Sequence, residues 1–285
     1  MELIHPRVDL WKPWEGHINH VARCARVCYA STADSELSNK KLYDSLVNRG
    51  HTSMLRHESR YYLIKQSEVG KDVYRQIYQE LRNYKYCPYI EYSCVDSIIY
   101  IAINGDFYRN QKYEKLINLI DDFEIPFIAF EQYIEGWHMM RLTFCVVTQI
   151  STSRELNRTS PNNIAEQSTR YVNFGKKGGI TICLPHWWKN ASWFKKFIHK
   201  TYWKSSELMY KFLLKLGFKP EDARGVLPLD TATKVVYTYS VKEWKNILDL
   251  RYFEKTGKAH PNAKIIGEMI CNELIKDGIN YEKSI

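Results

Sequence analysis

A chain of 285 residues is long enough for one large domain or two small ones, and 45% hydrophobic with 26% charged residues is a globular composition, not a fibrous or disordered one. Forty-one Lys and Arg against thirty-two Asp and Glu leave a net charge of +9, which favours anionic partners such as nucleotides, nucleic acid or polyglutamylated cofactors. The basic residues come only in pairs (Lys40-Lys41, Lys176-Lys177, Lys195-Lys196), so nucleic acid is not the expected partner, and no run approaches the ~18 apolar residues of a membrane span.

Residues 1–11 carry Glu2, His5, Arg7 and Asp9 and hold no apolar signal core, so a cytoplasmic location is expected. The segment 17–29 has helical periodicity, with Ile18, Val21, Ala22 and Ala25 on one face. Cys24 and Cys28 lie four apart on it. Two lone thiols make a poor zinc site, so no metal is expected, and the odd total of seven cysteines argues for free thiols. A second helix is predicted over 39–48, stopped by Gly50, and a strand over 61–64. A helix over 71–84, a loop over 84–92 and a strand over 97–103 ending at the turn pair Asn104-Gly105 follow. Helices are expected over 109–121 and 126–138.

The run 141–149 (RLTFCVVTQ) reads as a strand leading into Thr152-Ser153-Arg154-Glu155, a capping-box pattern that predicts a helix start at Thr152. A short strand over 180–184 is closed by Pro185. The segment 193–216 reads as a long amphipathic helix with Leu208, Phe212, Leu213 and Leu216 as its apolar stripe. Helices over 241–252 and 261–276 complete the chain. Strands mixed irregularly with helices predict an α+β fold, with a central, largely antiparallel sheet flanked by helices. One domain over 1–285 is expected, with a variable insertion at about 66–140 that carries no motif tied to chemistry.

No Gly-rich dinucleotide fingerprint, P-loop, zinc helix or nucleophile elbow is present. Any phosphate must then be held by Arg and Lys side chains or by helix N-termini. One segment is dense in suitable groups. Between Arg154 and Arg170 lie Glu155, Arg158, Asn163, Glu166, Gln167, Ser168 and Thr169. Arg154 and Arg158, four apart, share a helix face. Hydroxyls and guanidinium forks beyond a strand-helix unit suit a phosphate and a polar base edge. On composition alone they also suit a solvated helix and loop with surface ion pairs.

The segment 153–174 (SRELNRTSPNNIAEQSTRYVNF) resembles the signature of flavin-dependent thymidylate synthases, an Arg-His-Arg followed by seven residues and a Ser. Glu166-Gln167-Ser168-Thr169-Arg170-Tyr171 matches without a gap, and Arg158 falls on the first Arg. Other elements resemble the family in the same order. CARVCYAS (24–31) precedes Gly50-His51-Thr52-Ser53-Met54-Leu55-Arg56-His57, which resembles a Gly-His-x-Ser-x-x-Glu-His element. Ala223-Arg224-Gly225-Val226-Leu227-Pro228, the Asn246-to-Arg251 stretch and Ala259-His260-Pro261 complete the set. The resemblance covers roughly 15–65 and 141–275.

The resemblance implies an FAD-dependent reductive methylation of dUMP to dTMP, with methylenetetrahydrofolate as carbon donor and NADPH as reductant, in a homotetramer with shared active sites. It implies that Glu155, Arg158, Glu166, Gln167, Ser168, Thr169, Arg170, Arg224 and Arg251 grip the nucleotide. Arg251 would favour ionisation of the uracil at N3, and Ser168 would sit beside the pyrimidine; these two carry the catalytic assignment. His51, Ser53, Arg158, Thr159, Ser160, Asn163, Glu166, Ser240 and Asn246 fall where the family contacts flavin. Departures gather on that side. Thr159 and Ser160 stand for the signature's His and second Arg, Asn163 for a Ser, Arg56 for the Glu of the Glu-His pair and Ser240 for an Asn. They leave two further readings open: a different C5 modification of a pyrimidine nucleotide, such as hydroxymethylation, and a non-catalytic nucleotide-binding paralogue.

Overall fold

The computed structural model describes residues 1–29, 31, 35–159, 163–170, 174 and 179–279. The chain opens with β1 (Glu2–Ile4), β2 (Arg7–Trp11), α1 (His17–Tyr29), α2 (Glu36–Asn48), α3 (Thr52–Leu55) and β3 (Ser59–Lys65). Next come α4 (Gln66–Val69), α5 (Lys71–Leu81), β4 (Ile90–Val95), β5 (Ile98–Asn104), α6 (Gly105–Arg109), α7 (Glu114–Ile120), β6 (Glu124–Ile125) and α8 (Phe127–Phe130). The remainder is β7 (Arg141–Gln149), α9 (Ile150–Asn157), β8 (Ile164–Glu166), β9 (Thr181–Cys183), α10 (Trp193–Lys215), α11 (Pro220–Ala223), β10 (Ala232–Ser240), α12 (Val241–Arg251) and α13 (Pro261–Lys276).

The expected antiparallel sheet flanked by helices is present, but as two four-stranded sheets. One has the order β2-β7-β10-β8 and the other β4-β5-β3-β6, every pair antiparallel; β1 and β9 form a separate parallel pair. In the first, β7 and β10 pair along their whole length, from Arg141 opposite Ser240 to Gln149 opposite Ala232. Alternation sends Leu142, Phe144, Val146, Val235, Tyr237 and Tyr239 into one core with Trp244, Ile266 and Ile270. The same core takes Tyr61, Leu63 and Tyr100 from the second sheet, so the two sheets share it. The other face of the second sheet, with Tyr62, Ile64, Ile99, Ile101 and Ile103, packs on Ile77, Leu81, Phe107, Leu116 and Ile120 from α5–α7. The stretch 66–140 thus completes a sheet that begins in β3.

Several expectations need correction. Tyr84–Tyr92 is not wholly loop, because β4 starts at Ile90; it pairs with β5 through Asp96 (φ 50°) and Ser97 (φ 65°), a left-handed turn without the Asn-Gly or Asp-Gly signal. β10 was not expected; Val235 through Ser240 are all buried, so like β7 it shows no period-two alternation of exposure. The helix expected over 109–121 is divided into α6 and α7, capped at Asn104, whose side chain accepts from Phe107 N at 2.9 Å. The helix expected over 126–138 is one turn of α8 and a tighter turn, Ile134–Met139. α9 starts at Ile150, two residues early, and Thr152 donates its hydroxyl to Gln149 Oε1 (2.8 Å) instead of capping. The capping box belongs to α12, between Ser240 and Glu243. In α10 the stripe Leu208, Phe212 and Leu216 faces outward, and the docked side carries Trp203, Glu207 and Tyr210. Among the described residues no helix is long and apolar enough to cross a membrane.

Candidate active site

The site is built at the end of the first sheet. Gln149, the last residue of β7, donates its side-chain amide to the carbonyls of Cys183 (3.2 Å) and Leu184 (3.1 Å). That fixes where α9 leaves the sheet. α9 then turns the buried Ser153 toward β8, and its hydroxyl donates to Glu166 Oε1 at 2.7 Å. Thr233 of β10 donates to the same oxygen at 3.0 Å, and Asn157 to Oε2 at 3.4 Å. Three donors from two neighbouring elements therefore set the carboxylate of Glu166. The backbone beyond it is tied as firmly: Gln167 N donates to Lys234 O (2.8 Å) and Ser168 N to Cys28 O (3.0 Å). Arg170 N donates to Ser168 Oγ at 3.2 Å, which leaves the hydroxyl hydrogen of Ser168 to aim elsewhere. Arg224 reaches back across the chain, and its Nη1 donates to Thr169 Oγ1 at 3.0 Å.

These contacts bound an open cleft of about 590 Å³. Its wall comprises Glu166, Gln167, Ser168, Thr169 and Arg224 from the expected set, with Ile150, Arg154, Gly225, Leu227, Pro228 and Leu229 added. Two guanidinium groups, Arg154 and Arg224, thus stand beside a carboxylate, an amide and two hydroxyls. Guanidinium forks suit a phosphate, and the neutral donors and acceptors suit a polar ring edge. Arg170, half-exposed, faces Glu221 at 3.7 Å just beyond.

Other expected residues lie outside this wall. Arg251, at the end of α12, donates through Nη2 to Glu155 O (3.0 Å) and lies 3.5 Å from Glu155 Oε1. That carboxylate also accepts from His260 N at 3.4 Å, and the Nε of Arg251 is buried without a partner among the described residues. Arg158 caps the C-terminus of α9 and is exposed. Thr159 donates its hydroxyl to Leu156 O. Ser160, like Tyr171 of the matched motif, lies outside the described residues. Asn163 is buried with its Oδ1 unpartnered among the described residues, while its backbone carbonyl accepts from Thr238 N at 3.2 Å. His51 and Ser53 are exposed at the start of α3, Asn246 is exposed on α12, and Ser240 is buried with its hydroxyl accepting from Glu243 N at 3.2 Å.

Sequence reasoning missed several supporting groups. His57 Nδ1 hydrogen-bonds with Thr238 Oγ1 (2.7 Å), which meets Thr143 Oγ1 (2.7 Å), which meets His20 Nε2 (2.8 Å). Burial lowers His20 to about 4 and His57 to about 3, with Arg141 adding to both, so both rings are neutral at pH 7. Arg56, which stands for a Glu, donates to Asp106 Oδ2 at 2.9 Å and lies over the Tyr89 ring. The reversed charge therefore has an acid opposite it, supplied by 66–140. Cys28 is the cysteine whose backbone holds the cleft. Burial pushes its thiol up, and Glu166 adds to that, so it is no ready thiolate.

Comparison with known proteins bears on the same residues. The family model "Thymidylate synthase complementing protein" matches residues 128–276, just over half of the chain and all of the cleft wall. The flavin-dependent thymidylate synthase of Thermococcus onnurineus (strain NA1) is 29% identical over 135 residues, 46% of this chain and 54% of that protein. The chain thus spans about half the length of the curated relative it matches. A UMP/dUMP methylase, PolB from Streptomyces cacaoi, bound with 5-Br dUMP superposes with a TM-score of 0.47 at 15% identity, covering 99% of this chain and 96% of that one. The same methylase bound with 5-Br UMP gives 0.46 at 16% identity, covering 99% and 95%.

Proposed function

The chain belongs to the thymidylate synthase complementing protein family, the flavin-dependent thymidylate synthases, and on that premise we propose that it methylates dUMP at C5 in the cleft between Glu166 and Arg224. The observation that carries the reading is the fixed edge Glu166–Thr169 with Arg154 and Arg224 beside it. Arg224 and Arg154 take the phosphate dianion. Gln167 and Ser168 face the ring edge, the free hydroxyl hydrogen of Ser168 toward the pyrimidine. Arg251 favours ionisation at N3 by placing a cation beside the developing anion. In one chain it is held on Glu155 outside the cleft wall, so in this reading it serves a site shared with another copy in a homotetramer. No thiol of this chain attacks the base.

The polar groups available for FAD fit it in part. Arg158, His51 and Ser53 are exposed donors for a diphosphate, and the unpartnered Oδ1 of Asn163 suits a ring N–H. Ser240 does not fit, since its hydroxyl is engaged in the α12 cap. When bound, FAD supplies the hydride, with methylenetetrahydrofolate as the carbon source and NADPH as reductant.

The test is incubation of the full chain with dUMP, methylenetetrahydrofolate, NADPH and FAD, followed by mass analysis of the nucleotide. A product heavier by one CH2, a methyl in place of the C5 hydrogen, is expected. A hydroxymethyl adduct would replace the reaction with the alternative C5 chemistry, and unaltered dUMP that still binds would make the protein a non-catalytic nucleotide binder.

A further inference from the structure

We infer that the outer face of α10 is a two-fold interface, on which α10 of a second copy of this chain lies antiparallel and crosses at Ser205. α10 is docked by one side only. Trp203 and Tyr210 pack with Ile180, Ile182 and Ala223, and Glu207 beside them is buried. On the opposite side Phe194, Ile198, Tyr202, Leu208, Phe212 and Leu216 are each at least 50% exposed. Half of a large side chain is on the order of 100 Å². With their flanking neighbours these six expose roughly 800 Å², more than the patch of an ordinary monomer and about one partner's share of a standard interface.

The order of the residues says what covers that face. Tyr202 and Leu208 lie three residues either side of Ser205, Ile198 and Phe212 seven, and Phe194 and Leu216 eleven. Two rows of i, i+4 side chains therefore mirror each other about one small residue. An isologous contact requires that arrangement, because residue i meets j while j meets i. Rows of this spacing interlock at about −50°, the commonest helix crossing, which puts Tyr202, Leu208, Ile198 and Phe212 in the contact and Phe194 and Leu216 at its diverging ends. A small residue at the crossing lets the axes approach.

The two aliphatic hydroxyls on the face are already satisfied. Ser205 Oγ donates to Tyr202 O (2.8 Å) and Thr201 Oγ1 to Phe197 O (3.0 Å), so covering them strands no hydrogen bond. Lys204 and Lys211 are drawn to Glu207 at 2.9 and 3.0 Å, away from the face and from any lipid phosphate. An anionic membrane could still meet Lys195 and Lys215 of the same helix but gives no reason for the mirror order.

The inference rests on the self-assembly part of the proposed function and is independent of the reaction. The test uses the full chain in sedimentation velocity, with Ile198→Glu and Phe212→Glu as variants and far-UV circular dichroism to confirm folding. Each substitution should weaken self-association at least ~30-fold, as for a central interface residue. Ser205→Cys should form a disulfide-linked dimer on mild oxidation, while the unsubstituted chain and Lys200→Cys do not. A monomeric unsubstituted protein would overturn self-assembly and this interface together. An oligomer indifferent to all three α10 variants would overturn this face alone. A monomer that sediments with phosphatidylserine vesicles, and loses that with Phe212→Glu, would assign the face to a membrane.

Discussion

The cleft around Glu166 and the positions matched to flavin contacts are built differently. The cleft hangs on one short stretch. Glu166 through Thr169 leave β8 with the carboxylate held by Ser153, Thr233 and Asn157, and the next two amides held by Lys234 and Cys28. The flavin-side positions come from α3, the end of α9, the entry and end of β8 (Asn163 and Glu166) and α12 with its cap. There Ser240 is engaged in a helix cap and Arg56 in an ion pair with Asp106. A site carried by contiguous residues keeps its geometry through local bonds. A site gathered from separate elements can change one member at a time, and Arg56, Thr159 and Ser240 each find a partner within the chain.

The largest expected effect falls on the support that underlies both regions. His20 and His57 are neutral in the fold, with values of about 4 and about 3 against 6.5 unfolded. The unfolded chain then binds protons that the folded chain does not, so stability is full above pH 6.5 and falls as pH drops toward those lower values. At pH 5 the loss is on the order of 2 kcal/mol per histidine. Urea melts at pH 7.5 and 5 check this; equal midpoints would contradict buried neutral rings. Next, Arg224→Ala removes a charged donor from the cleft. Such bonds contribute about 1.5–3 kcal/mol, so dUMP binding should weaken ~10-fold or more, read by calorimetry, with folding intact. Arg56→Glu restores the family's residue but sets two acids face to face. Because Arg56 is partly exposed, the stability loss is about 1–2 kcal/mol, and adding Asp106→Arg should recover it. The smallest effect is on flavin. The purified protein should be colourless or faintly yellow, and Thr159→His with Ser160→Arg should raise flavin absorbance; a fully yellow unsubstituted protein would show that the flavin side is not weakened.

The cleft was legible in the sequence because its residues are adjacent and their spacing resembles a known signature. Its supports were not. Ser153 and Thr233 are ordinary hydroxyls, 13 and 67 residues from Glu166, and only the pairing of β8 with β10 brings Thr233 close. The same holds for Asp106, 50 residues from Arg56. Secondary structure was legible where helical periodicity was clean, as in α1; of the two long strands buried on both faces, β7 was read from its apolar run Phe144–Val147 and β10 was not. In α10 three of the four expected stripe residues face outward while Leu213 turns to the docked side, and a stripe does not say which body covers it. The docked side is held by Trp203 and Tyr210 with the charged Glu207, whose partners include the N-terminal amine of Met1 at 3.2 Å.

The central claim is that the cleft recognises a pyrimidine nucleotide through its phosphate. Titration calorimetry of the protein with dUMP and with deoxyuridine tests it most directly. The account predicts that dUMP binds at least ~10-fold more tightly, the difference made by Arg224 and Arg154. Equal affinity for nucleotide and nucleoside would contradict it.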